Sequence, residues 1–375
     1  MTGLPKKFNL VSFYEEEWET SKKILLQLQK FCTKEKTPIE EKFQKLYSTI
    51  QIFENHHRFN QFNAEDIINL QGKKCIGLEK AIEDYFKINI DIFYSKIIPF
   101  IIEQALLLPE RAKHKYREQT LPLMVSNKPM KEEIPKKLIL SILSNDFFCN
   151  HKDFVSQLNL EQKQFTHLEE WCNVDWYWLY SFDNNVSVNR IKCFLAYFDF
   201  AHNIFESKNN YFEKNVIVER IIFKRDKIIN HLSKCENKFE EKDINIHIKS
   251  MDTPEIETQS IVDFANMDLQ TGQIIPSATQ EEILFSTRPE MYIAMFICQR
   301  IYENEILIIS GADKLFEYEG YSQNFKYLKI NESIYNDNYN NNLNENILAL
   351  DATMFDHYLY NNVIQDISKF YTACN

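Results

Sequence analysis

Hydrophobic residues recur every three or four positions along most of the first 150 residues, with charged residues between them. The segments "EEEWETSKKILLQLQKF" and "IEEKFQKLYSTIQIF" show this spacing, which is the period of an amphipathic helix. It continues through "LEKAIEDYFKINIDIFYSKIIPFIIEQALLLPE", where Pro99 predicts a kink or a helix boundary. A polar linker then leads to the apolar helix "LILSILSNDFFC". This part of the chain is therefore predicted to be helical.

The pattern changes after about residue 210, where short segments rich in Ile, Val and Leu replace the long amphipathic stretches. Such segments are typical of strands. Helical spacing appears again at 187–207 and at 281–302. Strands are predicted at 215–225, 255–266, 304–312 and 346–353. Strands separated by helices predict an α/β sandwich behind a helical domain, and the Asn-rich tract 331–346 predicts a surface insertion.

The composition indicates a folded protein with a large core and argues against a general nucleic-acid binder. Apolar residues make up 44% of the 375 positions and aromatic residues 14%, which excludes global disorder. The formal net charge is −11, whereas binding to a nucleic-acid backbone requires a basic surface. We therefore expect no direct DNA binding, and a polyanionic ligand would have to enter a local pocket.

The cysteines and the apolar runs predict a soluble protein in a reducing compartment. The eight cysteines and nine histidines are scattered, without the close spacing of a zinc site or a disulfide framework. No metal or other cofactor is therefore predicted. The N-terminal residues lack a secretory apolar region, and the apolar run 97–108 is too short to span a bilayer. We expect a cytoplasmic or nuclear location without membrane contact.

Two neighbouring glutamates, Glu281 and Glu282, follow a short uncharged loop in the segment "TGQIIPSATQEEILF". A structural role explains them well, because Thr279 and Glu282 have the spacing of a capping box and acids in a first turn complement the helix dipole. A functional role gains support from Asp263 and Asn266, which close the strand before the loop. Ligands of α/β sheets bind at such strand ends. Acids crowded there would acquire the raised pKa that a general acid needs.

From these residues outward, a series of short motifs resembles the poly(ADP-ribose) glycohydrolase family. That family combines an aspartate in a "VDFAN" strand, a Gly-Gly-Gly loop and a Gln-Glu-Glu triplet, and this chain has "VDFAN" at 262–266 and "QEE" at 280–282. Further matching motifs precede and follow them in the order of the family, namely "LLLPE", "LSNDFFC", "VDWYWLY", "IKCFLAYF", "RPE", "LIISG", "EYEGY" and "LALDATMF". The resemblance covers the chain from about residue 90 onward.

The resemblance implies a macrodomain-like three-layer α/β/α sandwich preceded by an all-helical accessory domain. We place the accessory domain at 1–155 and the macrodomain-like domain at 156–375. The implied substrate is poly(ADP-ribose), or ADP-ribose as a ligand, with protein partners in a larger assembly as a further expectation. No motif assigns a role to residues 1–90.

The resemblance also assigns roles to single residues. Glu282 would protonate the leaving ribose oxygen and then activate water, while Glu281 would position the ribose and Asp263 would complete the catalytic acids. Substrate contacts are implied for Asn266, Gln270, Thr271, Gly272, Gln280, Tyr321 and Phe355. The acidic residue that contacts adenine in the family has only two nearby candidates here, Asp252 and Glu255.

The family's triple glycine is replaced by Gln270, Thr271 and Gly272. Glycines allow backbone amides to approach a diphosphate and to adopt positive φ values, and Pro276 removes one further amide donor from the loop. Two main hypotheses therefore stay open at this stage. The chain is an active glycohydrolase with a rebuilt loop, or it is a non-catalytic relative that serves as an interaction module. A third reading is a protein that binds ADP-ribose without cleaving a bond.

Overall fold

A computed structural model describes residues 7–9, 15–58, 75–116, 120–150, 172, 174–222, 260–335 and 345–352. The predicted domain boundary at 155/156 lies outside the described residues. The same holds for Phe355, for Asp252 and Glu255, and for most of the Asn-rich insertion. The α/β class predicted from the spacing of strands and helices is confirmed.

The N-terminal half is largely helical, as predicted. Pro99 lies in the first turn of the helix Ile98–Leu106, which follows a π-helical turn at Phe93–Ile97, so the predicted boundary at this proline is confirmed. Proline is tolerated there because the first turn needs no intrahelical N–H donor. The helices of this half are α1 (Glu15–Cys32), α2 (Ile39–Arg58), α3 (Ile76–Tyr85), α4 (Ile90–Ile92), α5 (Ile98–Leu106), α6 (Leu108–Lys115) and α7 (Lys136–Phe147).

A five-stranded mixed sheet forms the centre of the C-terminal half. Its strand order is β3-β4-β6-β9-β5, with all neighbours antiparallel except the parallel pair β9 and β5. Strand β5 therefore lies at one edge of the sheet. The strands in chain order are β1 (Lys7–Asn9), β2 (Thr120–Pro122), β3 (Met130–Pro135), β4 (Asn215–Ile222), β5 (Ser260–Ala265), β6 (Glu305–Ser310), β7 (Phe316–Glu319), β8 (Lys326–Ile330) and β9 (Asn346–Asp351).

The remaining helices lie on and beside this sheet. The predicted helix at 281–302 is wrong in its length, because Pro289 follows the end of the first helix and starts a 3₁₀ turn, Pro289–Tyr292. Proline lacks the N–H that would continue the helix. These helices are α8 (Trp176–Tyr180), α9 (Asn185–Ser207), α10 (Gln280–Thr287) and α11 (Ile293–Ile297).

Three strand regions were not predicted from the sequence, namely the pair of β1 and β2, strand β3, and the hairpin of β7 and β8. Strand β3 lies in a stretch that reads as a polar linker, yet it pairs with β4 from Met130 opposite Arg220 to Pro135 opposite Asn215. Its charged residues are compatible with an edge strand, where charges limit unwanted pairing. The hairpin of β7 and β8 was also missed, and it places the "EYEGY" motif beside the α10 region.

Helix α9 holds the two halves together. It contacts α3, α5, α8, α10 and β8, and residues on nearly all its sides are buried. Trp176 of α8 stacks on Phe194 of α9 with ring centroids 3.9 Å apart. A helix that is apolar all round is typical of a protein interior.

Among the described residues, no single helix has the length and apolar character needed to cross a membrane. One bent pair, Ile90–Leu106 with Leu108–Lys115 at 42°, meets the test by length and composition only. Most of its apolar residues, including Ile98, Ile101 and Leu108, are buried in the core.

Candidate active site

The structure brings the three predicted acids together at the junction of β5 and α10. Asp263 lies in β5 and is fully buried, and Glu281 and Glu282 in the first turn of α10 are each 2% exposed. Helix α10 contacts β5 directly. The negative charges of Glu281 and Glu282 both act on Asp263. One enclosed region therefore holds three carboxyl groups contributed by two elements.

Asp263 has an unusual environment for a buried carboxyl group. Neither of its oxygens has a hydrogen-bond partner within the described part of the chain. Burial raises the pKa of Asp263 well above its ordinary value, and the charges of Glu281 and Glu282 raise it further, while Arg288 opposes them. Buried polar groups are almost always paired in native proteins, so the environment of this carboxyl is compatible with its predicted place in a site.

Glu281 is held by backbone and side-chain donors from the segment before it. Its Oε1 accepts the Gln270 backbone N–H at 2.6 Å. Its Oε2 accepts the Asn266 side-chain amide at 2.9 Å and the Asn266 backbone N–H at 3.3 Å. Burial raises the pKa of Glu281 to about 7, although these hydrogen bonds lower it. The carboxyl is thus fixed in place and changes its charge near neutral pH.

Glu282 forms the capping box that the sequence predicts, and that prediction is confirmed. Its Oε2 accepts the Thr279 backbone N–H at 2.8 Å, the Thr279 hydroxyl, and the Ser277 hydroxyl at 3.4 Å. These bonds all go to one oxygen, so Oε1 lies outside the capping box. The structural and the catalytic roles of Glu282 are therefore compatible, because the cap fixes the orientation of the carboxyl group.

The loop in place of the triple glycine has three successive residues in the left-handed backbone region. Their φ values are 53° at Gln270, 58° at Thr271 and 79° at Gly272. Each non-glycine residue in this region costs about 1–2 kcal/mol. Thr271 is exposed, whereas Gln270 is fully buried. The Gln270 side chain is therefore directed into the protein interior.

A buried arginine that the sequence analysis missed lies behind this loop. Arg190 of α9 is 1% exposed, and its Nη2 donates to Gln270 Oε1 at 2.8 Å. Its Nη1 donates to the backbone oxygens of Ile275 at 2.5 Å and Ser277 at 3.0 Å. The available signal was a charged residue at an apolar helical position, four residues after Val186 and four before Phe194.

Gln280 is placed by the edge strand. Its Nε2 donates to the Val262 backbone oxygen at 2.7 Å, and its Oε1 accepts the Phe264 backbone N–H at 3.2 Å. The side chain therefore pairs with the side of β5 that faces away from β9, where no further strand lies among the described residues and backbone groups would otherwise be unpaired. This contact accounts for Gln280 in the described structure and fixes α10 against β5. Its predicted role in substrate binding stays a prediction.

Tyr321 lies close to the N-terminus of α10. The neighbouring Ser322 backbone N–H donates to the Ala278 oxygen at 2.9 Å, and the Tyr321 ring is half-buried. Gly320 precedes it with φ 76°, and a Cβ there would lie 2.1 Å from the Asn324 oxygen. Only glycine fits this turn, which leads directly into Tyr321 and Ser322.

Two other features that could bind a ligand lie away from the three acids. A cleft of about 780 Å³ lies among α6, α7 and the C-terminal end of α9, and none of the predicted site residues lines it. Among the described residues, Glu54, Cys149 and Asp175 place potential metal-ligand atoms within 4.8 Å of one another. Asp175 also caps α8 by accepting the Tyr177 backbone N–H.

The sequence matches two models of one protein family. Residues 85–224 match the model described as poly(ADP-ribose) glycohydrolase, helical domain. Residues 229–375 match the model described as poly(ADP-ribose) glycohydrolase, macro domain fold. The two matches leave only the first 84 residues and a short junction outside the family models.

Curated proteins of the same description are similar to shorter parts of the chain. Poly(ADP-ribose) glycohydrolase 1 of Caenorhabditis elegans is 32% identical over 100 residues, which is 25% of this chain and 13% of that protein. Poly(ADP-ribose) glycohydrolase 1 of Arabidopsis thaliana is 38% identical over 66 residues, 18% of this chain and 12% of that protein. Poly(ADP-ribose) glycohydrolase 2 of C. elegans is 32% identical over 127 residues, 32% of this chain and 26% of that protein. The aligned segments thus span at most about a quarter of these relatives.

Proposed function

Because the chain belongs to the poly(ADP-ribose) glycohydrolase family, we propose that it hydrolyses the ribose–ribose O-glycosidic bonds of poly(ADP-ribose) and releases ADP-ribose. The supporting observation is the group of three buried acids at the junction of β5 and α10. Two of them, Asp263 and Glu281, have raised pKa values. Such a group is costly to the fold and is the chemistry that glycoside cleavage needs.

Glu282 is the proposed general acid and base. Its Oε1, outside the capping box, would donate a proton to the leaving ribose oxygen as the C1′–O bond breaks. The ribosyl centre then carries positive charge, which the neighbouring carboxylates stabilise. Glu282 next removes a proton from the attacking water, so the group returns to its starting state. The capping bonds to Oε2 hold the carboxyl group still through both steps.

Glu281 and Asp263 are the proposed partners of this acid. Glu281 would accept a hydroxyl of the substrate ribose, because its position is fixed by Asn266 and Gln270. Asp263 would complete the group as a third buried carboxyl, whose oxygens have no hydrogen-bond partner among the described residues. Of the amides in the left-handed segment, that of Thr271 would face the diphosphate, because the Gln270 amide donates to Glu281 and the Gly272 amide to the Asp268 oxygen.

The test is release of ADP-ribose from purified poly(ADP-ribose), followed by mass spectrometry. Glu282→Gln is expected to lower the rate by about 10²–10⁴-fold, the usual contribution of a general acid. Because glutamine also fits a capping box, the melting temperature should change little. Glu319→Gln, which changes an exposed acid paired with Lys326, is the control and should keep the wild-type rate.

The remaining hypotheses are outcomes of the same test. Binding of ADP-ribose by calorimetry without any release would identify a binding protein rather than a hydrolase. Absence of both would leave an interaction module, whose protein partners a pull-down from cell extract would reveal. The cytoplasmic or nuclear location stays a prediction, and imaging of a tagged chain tests it.

A further inference from the structure

The geometry points to Arg190 as a positioning residue. It holds residues 270–277, which we call the 270–277 loop, in place next to the three acids. Arg190 comes from α9, a helix outside the loop and outside the β5–α10 junction. We assign it no contact with substrate. Its function in turnover rests on the proposed glycohydrolase activity, whereas its effect on the loop does not.

The hydrogen bonds of Arg190 reach both ends of the loop and the helix behind it. Nη2 bonds Gln270 at the start of the loop, and Nη1 bonds Ile275 and Ser277 near its end. Two further bonds join Nε to Ser286 Oγ at 3.0 Å and Nη2 to the Tyr292 hydroxyl at 3.1 Å. A rigid planar guanidinium can fix several acceptors at once, which a lysine ammonium cannot.

The acceptors of this buried cation are neutral in every one of these five hydrogen bonds. Burying a charge without a carboxylate partner costs folding free energy, so stability alone does not explain an arginine at position 190. Three of the five hydrogen bonds instead go to one irregular segment, the 270–277 loop. This arrangement indicates that the arginine serves the position of that segment.

The loop needs such external support because it lacks the glycines that would make its backbone conformation easy. Gln270 and Thr271 both have positive φ, a conformation that a side chain disfavours. Gln270 is the link between the arginine and the acids. Its Oε1 accepts from Arg190, and its backbone N–H donates to Glu281. A shift of Gln270 would therefore move the loop amides and release one oxygen of Glu281 together.

The test compares four variants by hydrogen–deuterium exchange of the 270–277 loop. Arg190→Lys keeps the positive charge but loses the planar set of donors. Gln270→Ala removes the side-chain oxygen that accepts from Arg190 Nη2 and leaves Arg190 itself unchanged. Both are expected to speed amide exchange in the loop at least about tenfold relative to the rest of the chain, as for a locally opened segment. Gln270→Glu keeps an Oε1 acceptor for Arg190 and should retain slow exchange.

Arg220→Lys is the matched control. Arg220 is also 1% exposed. It lies in β4, which β6 and β9 separate from β5, and it bonds Glu305 and the backbone of Gln299 and Arg300. It should not speed exchange in the loop selectively. In the release assay, Arg190→Lys should lower kcat/KM by about 10²-fold, the effect of a misplacement near 1 Å. Arg220→Lys should leave the ratio unchanged.

The exchange data decide the inference separately from the proposed function. Unchanged loop exchange in Arg190→Lys and Gln270→Ala, or an equal rise across the whole chain, overturns it. If Arg190→Lys does not fold, Gln270→Ala alone decides. If the wild-type chain neither binds nor releases ADP-ribose, the proposed function fails, and fast loop exchange in the variants still supports the position of Arg190.

Discussion

Two buried groups of acids lie at opposite ends of the α10 segment, and they differ in how their charge is balanced. After its C-terminal end, Glu290 and Asp313 both contact the ammonium of Lys136, at 2.9 and 2.7 Å. The Tyr211 hydroxyl also donates to Glu290 at 3.0 Å. We call this the compensated cluster. At the N-terminal end, Asp263, Glu281 and Glu282 form no ion pair within the described residues.

This difference in charge compensation is one reason why we propose a function only for the acids at the N-terminal end of α10. In the compensated cluster a buried cation contacts both carboxylates, although Glu290 Oε1 has no hydrogen-bond partner among the described residues and burial raises the pKa of Glu290. At the N-terminal end the charges of Glu281 and Glu282 raise the pKa of Asp263, and neither Asp263 oxygen has a hydrogen-bond partner in the described part of the chain. Strongly perturbed pKa values without compensation are typical of active sites. Burial alone does not distinguish the two groups, but charge compensation does.

The largest expected effect comes from removing the cation of the compensated cluster. Lys136→Met leaves Glu290 buried without its partner, and this should lower the free energy of unfolding by about 3–5 kcal/mol. Urea denaturation monitored by circular dichroism measures the change. Lys137→Met is the control, because its partner Glu213 is largely exposed and such surface pairs contribute about 0–1 kcal/mol. Equal losses in the two variants would contradict the distinction.

The second prediction concerns the pH dependence of stability at the site. Folding raises the pKa of Glu281 from 4.5 to about 7, so the folded chain binds this proton more tightly than the unfolded chain. Its contribution to stability is therefore greatest below pH 4.5 and falls as the pH rises towards 7. The loss amounts to about 3 kcal/mol for this shift. Glu281→Gln should remove that part of the slope.

Urea midpoints of the wild type and Glu281→Gln at several pH values between 4 and 8 provide the measurement. The free energy of unfolding of the wild type relative to the variant should fall as the pH rises from 4 to 7, because only the wild type loses the contribution of the Glu281 proton. Asp263 remains in both chains, but the variant removes a charge that raises the pKa of Asp263, so the difference reports the two coupled groups together. Parallel curves would show that Glu281 titrates normally and would remove one support for the site.

The third prediction concerns Asp263, whose substitution should change the free energy of unfolding in the direction opposite to that of Lys136→Met. Asp263→Asn replaces a buried acid whose oxygens have no hydrogen-bond partner among the described residues, so the free energy of unfolding at pH 8 should not fall and should rise by about 1 kcal/mol. ADP-ribose release should nevertheless drop sharply, because one of the three proposed catalytic carboxyl groups is gone. A stability loss resembling that of Lys136→Met would instead identify Asp263 as a structural residue.

The sequence predicted most of the framework because long periodic segments report burial directly. The helices around Pro99, the strands β4, β5, β6 and β9, and the capping box of Glu282 are confirmed. Strand β3 was missed because its charges conceal the alternation of a short edge strand. The assignment of single residues to the site, including Phe355 outside the described residues, stays a prediction.

Which buried charges have a partner, and which partner, could not be predicted from the sequence. Lys136 and Glu290 lie 154 positions apart in the chain, and nothing local indicates that one compensates the other. Arg190 lies 80 positions before Gln270 and occupies an apolar helical position. Such pairings depend on which elements the fold brings together. Motifs identified the acids, whereas only the structure shows which of them lack compensation.

The smallest expected effect concerns the left-handed loop itself. Thr271 is exposed, has φ 58°, and its hydroxyl contacts only the Gln270 oxygen in the described structure. Thr271→Gly removes the Cβ penalty, while the more flexible unfolded chain offsets part of the gain. The net rise in the free energy of unfolding should be about 0.5 kcal/mol. Affinity for ADP-ribose, measured by calorimetry, should also increase because the amide becomes more accessible.

Gln270→Gly is the matched comparison for this prediction, because Gln270 has nearly the same backbone conformation, φ 53°. The conformational gain should be similar, but the substitution also removes the acceptor of Arg190 and leaves a buried donor without it. An unsatisfied buried group costs about 1–3 kcal/mol, so this variant should be less stable than the wild type. Glycine substitutions at these two adjacent positions, which share one backbone conformation, should thus change the free energy of unfolding in opposite directions. Equal effects would mean that backbone strain, and not the contact with Arg190, determines how this loop is held.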